Sequence, residues 1–410
     1  MRRWFEQRTG LDILVLSRCP PWPLDRGDRL IVYHLAEELA RRGHTFDLLA
    51  FYDHPYDPAD VPAYDRLFRE VRLLPERARS PWQYLARRLR PRRRFPTQAR
   101  ECWSPPMWKA VAGQLRSATY DLVFFFGGVA VYEYYPLVRH IPNLITPYES
   151  YALYLEREAR NARNLAQKLG AWARLNMARA YECWMFDPFG AVVVVSERDA
   201  ATLRALNPSL PVTVIPNGVD VERFAPTIEG PKPPTLIFTG NFAYPPNVDA
   251  ALVLAREVLP RVQQKVPGAR LKLVGANPPP EVRALECAAI TVTGRVPDMH
   301  PYLDQAAVYV CPLRLGAGIK NKVLEAMAMA LPVVATPLSC DGIDAADGRE
   351  VLLAEGPAAL AEGVVRVLTD PDLSRRLAHN ASALVRSGYT WRSVADRYEA
   401  LFEQVILAHR

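Results

Sequence analysis

Residues Val308 to Thr336 read VYVCPLRLGAGIKNKVLEAMAMALPVVAT. The apolar run Val308–Pro312 predicts a buried strand, Gly316 and Gly318 open a loop, a helical period starts near Asn321, and Pro332–Thr336 predicts a second strand. A strand, a crossover helix and another strand make the repeating unit of a parallel sheet. In such sheets the strand-to-helix loop lies at the carboxyl edge, where ligands bind. Glycines that let backbone approach closely, amides at a helix N-terminus, and Lys320 with Lys322 suit a diphosphate. By spacing alone an ordinary strand–helix turn with solvated lysines fits as well. Glu325, one turn into the helix, is either a surface carboxylate or an acceptor for ribose hydroxyls.

The same pattern extends both ways. Strands are predicted at 235–240, 270–275, 290–294 and 351–354 in the second half, with a helix over 248–264. In the first half they are predicted at 11–17, 45–51, 121–126, 143–146, 191–196 and 212–216. Between the first two strands, Ile31, Leu35 and Leu39 stripe a helix that ends at Gly43. The fold class is therefore α/β with two doubly wound parallel sheets. Periodicity stops between Pro216 and Pro234, so the expected domains are 1–218, 219–388 and a C-terminal helix, 389–410, packing on either. With 410 residues, 50% hydrophobic and 23% charged, the chain exceeds one compact core. Two such sheets facing one another would leave a ligand cleft.

Other classes fall away on residues. The densest apolar run, Leu122–Val131, is cut by Gly127 and Gly128, too short for a spanning helix. Met1-Arg2-Arg3 is followed by Asp12 inside the first apolar stretch, so secretion is not expected. Cys19, Cys102, Cys183, Cys287, Cys311 and Cys340 are scattered without zinc-ligand spacing, as reduced thiols of a cytoplasmic protein would be. Asp370-Pro-Asp372 has the spacing of a metal-binding Asp-x-Asp, yet Asp370 stands where it would cap the next helix, and no metal is assigned. No nucleophile elbow, Walker loop or dinucleotide fingerprint occurs. A net charge of +7 favours anionic partners. The arginines lack the interleaved stacking aromatics of a nucleic-acid module, so nucleic acid is not an expected partner.

The segment 314–336 resembles the donor-binding segment of family 4 (group 1) glycosyltransferases, retaining enzymes of GT-B fold, in which two Rossmann-like domains face across a cleft. Val194-Val-Ser-Glu197, Ile215-Pro-Asn-Gly-Val-Asp220, Phe238-Thr-Gly-Asn241 and Gly294-Arg-Val-Pro297 resemble further signatures of that family, in order along nearly the whole chain. In detail it is similar to sugar transferases of exopolysaccharide and exosortase loci. The resemblance implies that Arg295 and Val296 border a nucleobase, that Glu325 binds the ribose, and that Gly240, Gly316, Gly318 and Lys320 lie at the donor diphosphate. Two departures stand out. Ala317 replaces the first glutamate of Glu-x7-Glu, and Asn241 and Asn247 stand at or near the places of an Arg and a Lys. Lys320, helped by Lys322 or Arg314, is expected to replace those cations.

On the acceptor side, the proline-stiffened loop 18–29 resembles the family's glycine loop, which implies Gly27 and Arg29 as candidates near donor phosphate and acceptor; by its residues alone it is as well a loop stiffened only for packing. Glu149 ends another strand, where it would orient an acceptor hydroxyl or serve the strand end structurally. Arg87, Arg88, Arg92, Arg93 and Arg94, beside Tyr84, Leu89 and Phe95, form either a solvated basic face or a patch for an anionic membrane surface. The reading is a glycosyltransferase without cofactor or metal. It takes a nucleotide-sugar donor and a glycan or polyprenyl-linked acceptor, in the cytoplasm or at the inner membrane face. A non-catalytic nucleotide-sugar or glycan binder on the same scaffold is the alternative.

Overall fold

Seven parallel strands form the first sheet in the order β3-β2-β1-β4-β5-β6-β7. They are β1 (Asp12–Ser17), β2 (Thr45–Tyr52), β3 (Glu70–Pro75), β4 (Leu122–Phe126), β5 (Asn143–Tyr148), β6 (Val192–Val194) and β7 (Val212–Val214). The computed structural model describes residues 10–22, 24, 27–52, 62–76, 81–89, 94–160, 164–228, 230, 232–316 and 318–409. β1 and β4 pair through Ile13–Ser17 and Leu122–Phe126, and β4 is buried throughout. A strand covered on both faces reads as a continuous apolar run, which is why these are visible in sequence. β3 was not anticipated. It is an edge strand, paired only with β2. Its residues, Glu-Val-Arg-Leu-Leu-Pro, are mostly half-buried, so neither a clean alternation nor an apolar run marks it.

The chain divides into two compact units, one of Met1–Ile215 with Ala395–Arg410 and the other of Pro216–Val394. The last helix, Trp391–His409, thus starts in the second unit and belongs to the first from Ala395 onward. There the rings of Tyr398 and Phe402 pack obliquely against Phe124 of β4 at 5.6 and 6.0 Å. Arg42 and His44 both pair with Glu399 of that helix.

A buried acid organises the helical pair Tyr151–Arg160 and Leu165–Glu182. Glu182 accepts from Ser150 Oγ at 2.8 Å and from the Tyr151 amide at 2.7 Å, which ties the start of the first helix to the end of the second. Burial pushes the Glu182 carboxyl up to about 7 from 4.5, against the pull of these donors. A raised carboxyl pKa means that the folded chain holds a proton longer than the unfolded one. The associated stability is therefore present below about pH 4.5 and is lost as pH rises through 7. Glu182→Gln keeps an accepting oxygen and removes the titration. In urea unfolding between about pH 5 and 8 it should flatten the stability decline, an effect on the order of 3 kcal/mol. An unchanged pH slope would refute the assignment.

The second sheet is also fully parallel, in the order β10-β9-β8-β11-β12-β13. Its strands are β8 (Thr235–Thr239), β9 (Arg270–Val274), β10 (Ile290–Val292), β11 (Val308–Cys311), β12 (Val333–Ala335) and β13 (Leu352–Leu353). The helix expected over 248–264 is broken into Pro245–Val253, a π-helical turn Leu254–Val258, and Leu259–Gln263. Pro260, without an amide proton, sits at the junction, where the i−4 ladder has to be interrupted. Asp370 caps the Pro371–Gly388 helix by accepting from the amides of Asp372 and Leu373.

Candidate functional site

Because all six strands of the second sheet run the same way, the loops after β8, β9, β10 and β11 emerge on one edge. β8 has β9 on one side and β11 on the other, so the chain reverses its winding there and leaves a crevice between the two diverging loops. The candidates Gly240, Asn241, Arg295, Val296, Arg314, Gly316, Gly318, Lys320, Lys322 and Glu325 all belong to this edge or to the helix that follows β11.

The loop after β11 is pinned before it reaches its glycines. Thr336 Oγ1 donates to the Leu313 carbonyl at 2.6 Å, and Ser339 Oγ donates to that of Cys311 at 2.7 Å. Gly316 and Gly318 then adopt φ of 122° and 65°, the left-handed region that glycine enters at little cost. Lys320 folds back and donates from Nζ to the Gly318 carbonyl. Lys320 is also the N-cap of the Asn321–Ala328 helix, and its side chain caps nothing. Asn321, opening that helix, accepts from Asn217 Nδ2 at 2.7 Å. Its own Nδ2 is buried with no hydrogen-bond partner among the described residues.

Lys322 makes the contact that joins the two loops. Its ammonium donates to Asn247 Oδ1 at 2.7 Å and lies 4.5 Å from the centroid of the Phe238 ring. A Cβ on Gly240 would stand 2.8 Å from Lys322 Nζ and 2.8 Å from Asn247 Nδ2, so the amine rests against bare backbone at the turn after β8. That turn is braced from below. Asn247 Nδ2 donates to the Asn241 carbonyl at 2.7 Å, and Asn241 Oδ1 accepts from the Ala243 amide and from Asn277 Nδ2. Burial is the main cause that brings the Lys322 pKa down to about 8. One turn further on, burial raises the half-buried carboxyl of Glu325, while Lys322 and Arg223 pull it back.

Two expectations for this edge need qualification. Arg314, named as a helper of Lys320, is committed to a bidentate pair with Asp249, its Nε 2.9 Å from Oδ2. Ala317, which stands where the family's first glutamate would be, lies outside the described residues. Arg295 is exposed and Val296 half-buried, both just after Gly294 at the end of β10.

In the first unit the switch point lies between β1 and β4. Arg18 leaves β1 there. Its amide donates to the Phe126 carbonyl at 2.8 Å and its guanidinium pairs with Asp28 at 2.9 Å. Gly127, with φ of 121°, has room for no side chain, because a Cβ would meet that of Arg18 at 2.4 Å. Tyr148 closes β5 with φ of 73°, a strained value for an aromatic residue. Its ring is 4.3 Å from Phe126, and its hydroxyl is buried without a hydrogen-bond partner among the described residues. Glu149 follows it, half-buried. Sequence reasoning missed Arg18 and Tyr148. The position of Arg18 directly after the first strand was a usable signal, but nothing local announces the backbone strain of Tyr148.

Two arginines expected to be open to a ligand are enclosed. Gly27 is exposed at the first position of the Gly27–Arg41 helix, but Arg29 is only 1% exposed. Arg29, Val32 and Ala36 share the buried stripe of that helix, so the arginine side chain is enclosed and not open to solvent. Arg87 is likewise internal. It pairs with the buried Glu133 at 2.7 Å, donates to Tyr132 and to the Glu101 carbonyl, and stacks 4.2 Å over Trp103. The neighbouring Arg94 lies over the Trp184 ring. Arg92, Arg93 and the side chain of Arg88 lie outside the described residues.

Comparison with known proteins agrees with this architecture. The family profile described as Glycosyltransferase Family 4 matches residues 29–223, and the one described as Glycosyl transferases group 1 matches 233–370. The sucrose-phosphate synthase of Thermosynechococcus elongatus superposes with a TM-score of 0.70 at 20% identity, covering 97% of this chain and 99% of that one. Anabaena HepE, solved with UDP and glucose, gives 0.66 at 15% identity over 96% and 99%. An uncharacterized protein in the cps region of Klebsiella pneumoniae is 21% identical over 178 residues, 41% of this chain, which spans only 45% of that relative's length. With a family profile on each of its two sheets, and a fold shared with glycosyltransferases over nearly its full length, the chain belongs to the group 1 and family 4 glycosyltransferases and is a glycosyltransferase of GT-B fold.

Proposed function

We propose that this glycosyltransferase moves a sugar from a nucleoside diphosphate donor to a hydroxyl of a glycan or polyprenyl-linked acceptor, with retention of configuration and without a metal or other cofactor. The observation that carries the donor half is the ammonium of Lys322, held by Asn247 against the bare Gly240 turn at the switch point. A departing diphosphate develops charge that fixed donors must stabilise. Lys322 and Lys320 supply cations, the uncapped amides of the Asn321–Ala328 helix add their dipole, and the two glycines admit the phosphates to backbone. Arg295 and Val296 border the base, and Glu325 receives the ribose. On the other sheet, Glu149 at the end of β5 orients the acceptor hydroxyl, near the strained Tyr148. Retention follows the family resemblance. The UDP bound by HepE and the cps-region relative support a sugar nucleotide and a surface polysaccharide pathway.

A thermal-shift series with UDP-, GDP-, ADP- and dTDP-sugars tests the donor. One of them at 100 times its Kd should add about 2.7 kcal/mol of stability. Glu325→Gln should weaken ribonucleoside diphosphates about tenfold more than their 2′-deoxy analogues, a hydrogen bond to a charged acceptor being lost only from the former. Equal losses would remove Glu325 from the ribose. Binding of a donor with neither transfer nor hydrolysis would leave a nucleotide-sugar binder in place of an enzyme.

A further inference from the structure

Two stretches of the first unit carry positive charge without any acid. Residues 77–100 contain nine arginines and no Asp or Glu, and residues 159–181 contain Arg160, Arg163, Lys168, Arg174 and Arg179 and again none. The same stretches hold five of the ten large apolar side chains exposed among the described residues, namely Trp82 (76%), Leu89 (70%), Leu165 (71%), Leu169 (58%) and Trp172 (61%). On the Leu165–Glu182 helix, positions 165, 169 and 172 recur with helical spacing and form one outward stripe. The opposite face is accounted for, since Leu175 and Ala178 cluster with Ala152 and Leu155 of the preceding helix. The Pro81–Arg88 helix abuts the same long helix, where Tyr181 donates to the Tyr84 carbonyl at 2.9 Å.

We propose that this face docks on an anionic phospholipid surface, with Leu165, Leu169 and Trp172 entering the headgroup region and the basic side chains meeting lipid phosphates. Apolar residues on one helical stripe flanked by cations are what an interfacial helix needs. Charge complementarity selects the occupant. Arg87 pairs with Glu133, Arg160 and Arg179 share Glu156, and Arg174 pairs with Glu158, so among the described residues the surplus charge resides in Lys168, Arg94 and Arg100. A second copy of this chain would bring the same acid-free stretches against each other, and like charges would oppose that contact. The inference rests on the proposed function only for its purpose, which is to hold the enzyme where a lipid-borne acceptor lies. Adsorption itself requires neither donor nor transfer.

The test is co-sedimentation of the full chain with vesicles of phosphatidylcholine alone or mixed with phosphatidylglycerol. The expected result is binding to the mixed vesicles, weaker binding to the neutral ones, and release as salt rises. The double change Leu169→Ser with Trp172→Ser should lower partitioning by at least about tenfold while the melting temperature and the donor-induced thermal shift stay put. Lys168→Glu should weaken binding to the mixed vesicles only. The proposal is overturned if the chain stays in the supernatant with mixed vesicles, if the double variant binds like the parent, or if sedimentation shows a dimer that depends on Leu169 and Trp172. None of these outcomes touches donor binding or transfer to a water-soluble acceptor analogue, so the two readings fail separately.

Discussion

Lys322→Met is expected to lower turnover by about 10²- to 10³-fold, the usual cost of removing one preorganised donor from a developing oxyanion. Methionine retains the length of the side chain and its contact with Phe238, so the change removes mainly charge. Nucleoside diphosphates should lose affinity and nucleosides should not, because the ammonium sits at the Gly240 turn while the base and ribose are assigned to other residues. Folding should not suffer. The amine has been brought down to about 8 by burial, so at neutral pH its charge costs stability, and the variant should melt at the same temperature or higher. The lowered pKa gives a second readout. In the parent, diphosphate affinity should fall as pH rises through about 8, where the free enzyme's amine loses its proton, and nucleoside affinity should stay level. Isothermal titration of a nucleoside and its diphosphate at several pH values decides this. If Lys320→Ala carries the whole loss and Lys322→Met none, the diphosphate is held by Lys320 alone.

Gly275→Ala should be the most damaging single methyl group in the second unit. Gly275 has φ of 146°, and a Cβ there would stand 1.9 Å from the Gly240 carbonyl oxygen. The neighbour is backbone, so no rotamer change can relieve the overlap, and either β9 or the Gly240 turn has to move. Either movement carries Lys322 and Asn247 with it. We expect a loss of roughly 3 kcal/mol or more in unfolding free energy, and no donor-induced thermal shift in whatever remains folded. Gly294→Ala is the control. It also has positive φ, at 72°, but open space around its Cβ, and should cost only about 1 kcal/mol. Equal stability for the two variants would show that the contact between Gly275 and Gly240 is not rigid.

Much of the donor edge was legible as sequence because it is local. A strand ending in an apolar run, two glycines, two lysines and a helical period occupy 308–328, and the chemistry of an anion site can be read from that order. Asn241 and Asn247 were legible only as absences of cations. That the ammonium of Lys322 lies against Asn247 is a contact across 75 residues, formed because β8 and β11 are neighbours at the switch point. The arginine-rich stretch shows the opposite outcome. Its composition suggested one uniform patch, but Arg87 turned inward because Glu133, a buried carboxylate, requires a cation. The exposed apolar stripe lies instead on Leu165–Glu182.

Periodicity and turn chemistry alone determined the α/β class, the order of the strands covered on both faces, and the glycine loop, because each depends on residues within a few positions of one another. Which of several arginines is neutralised, and which lysine reaches the Gly240 turn, were decided only by the tertiary structure. Those choices depend on pairing between distant segments, where burial makes an uncompensated charge too costly to leave.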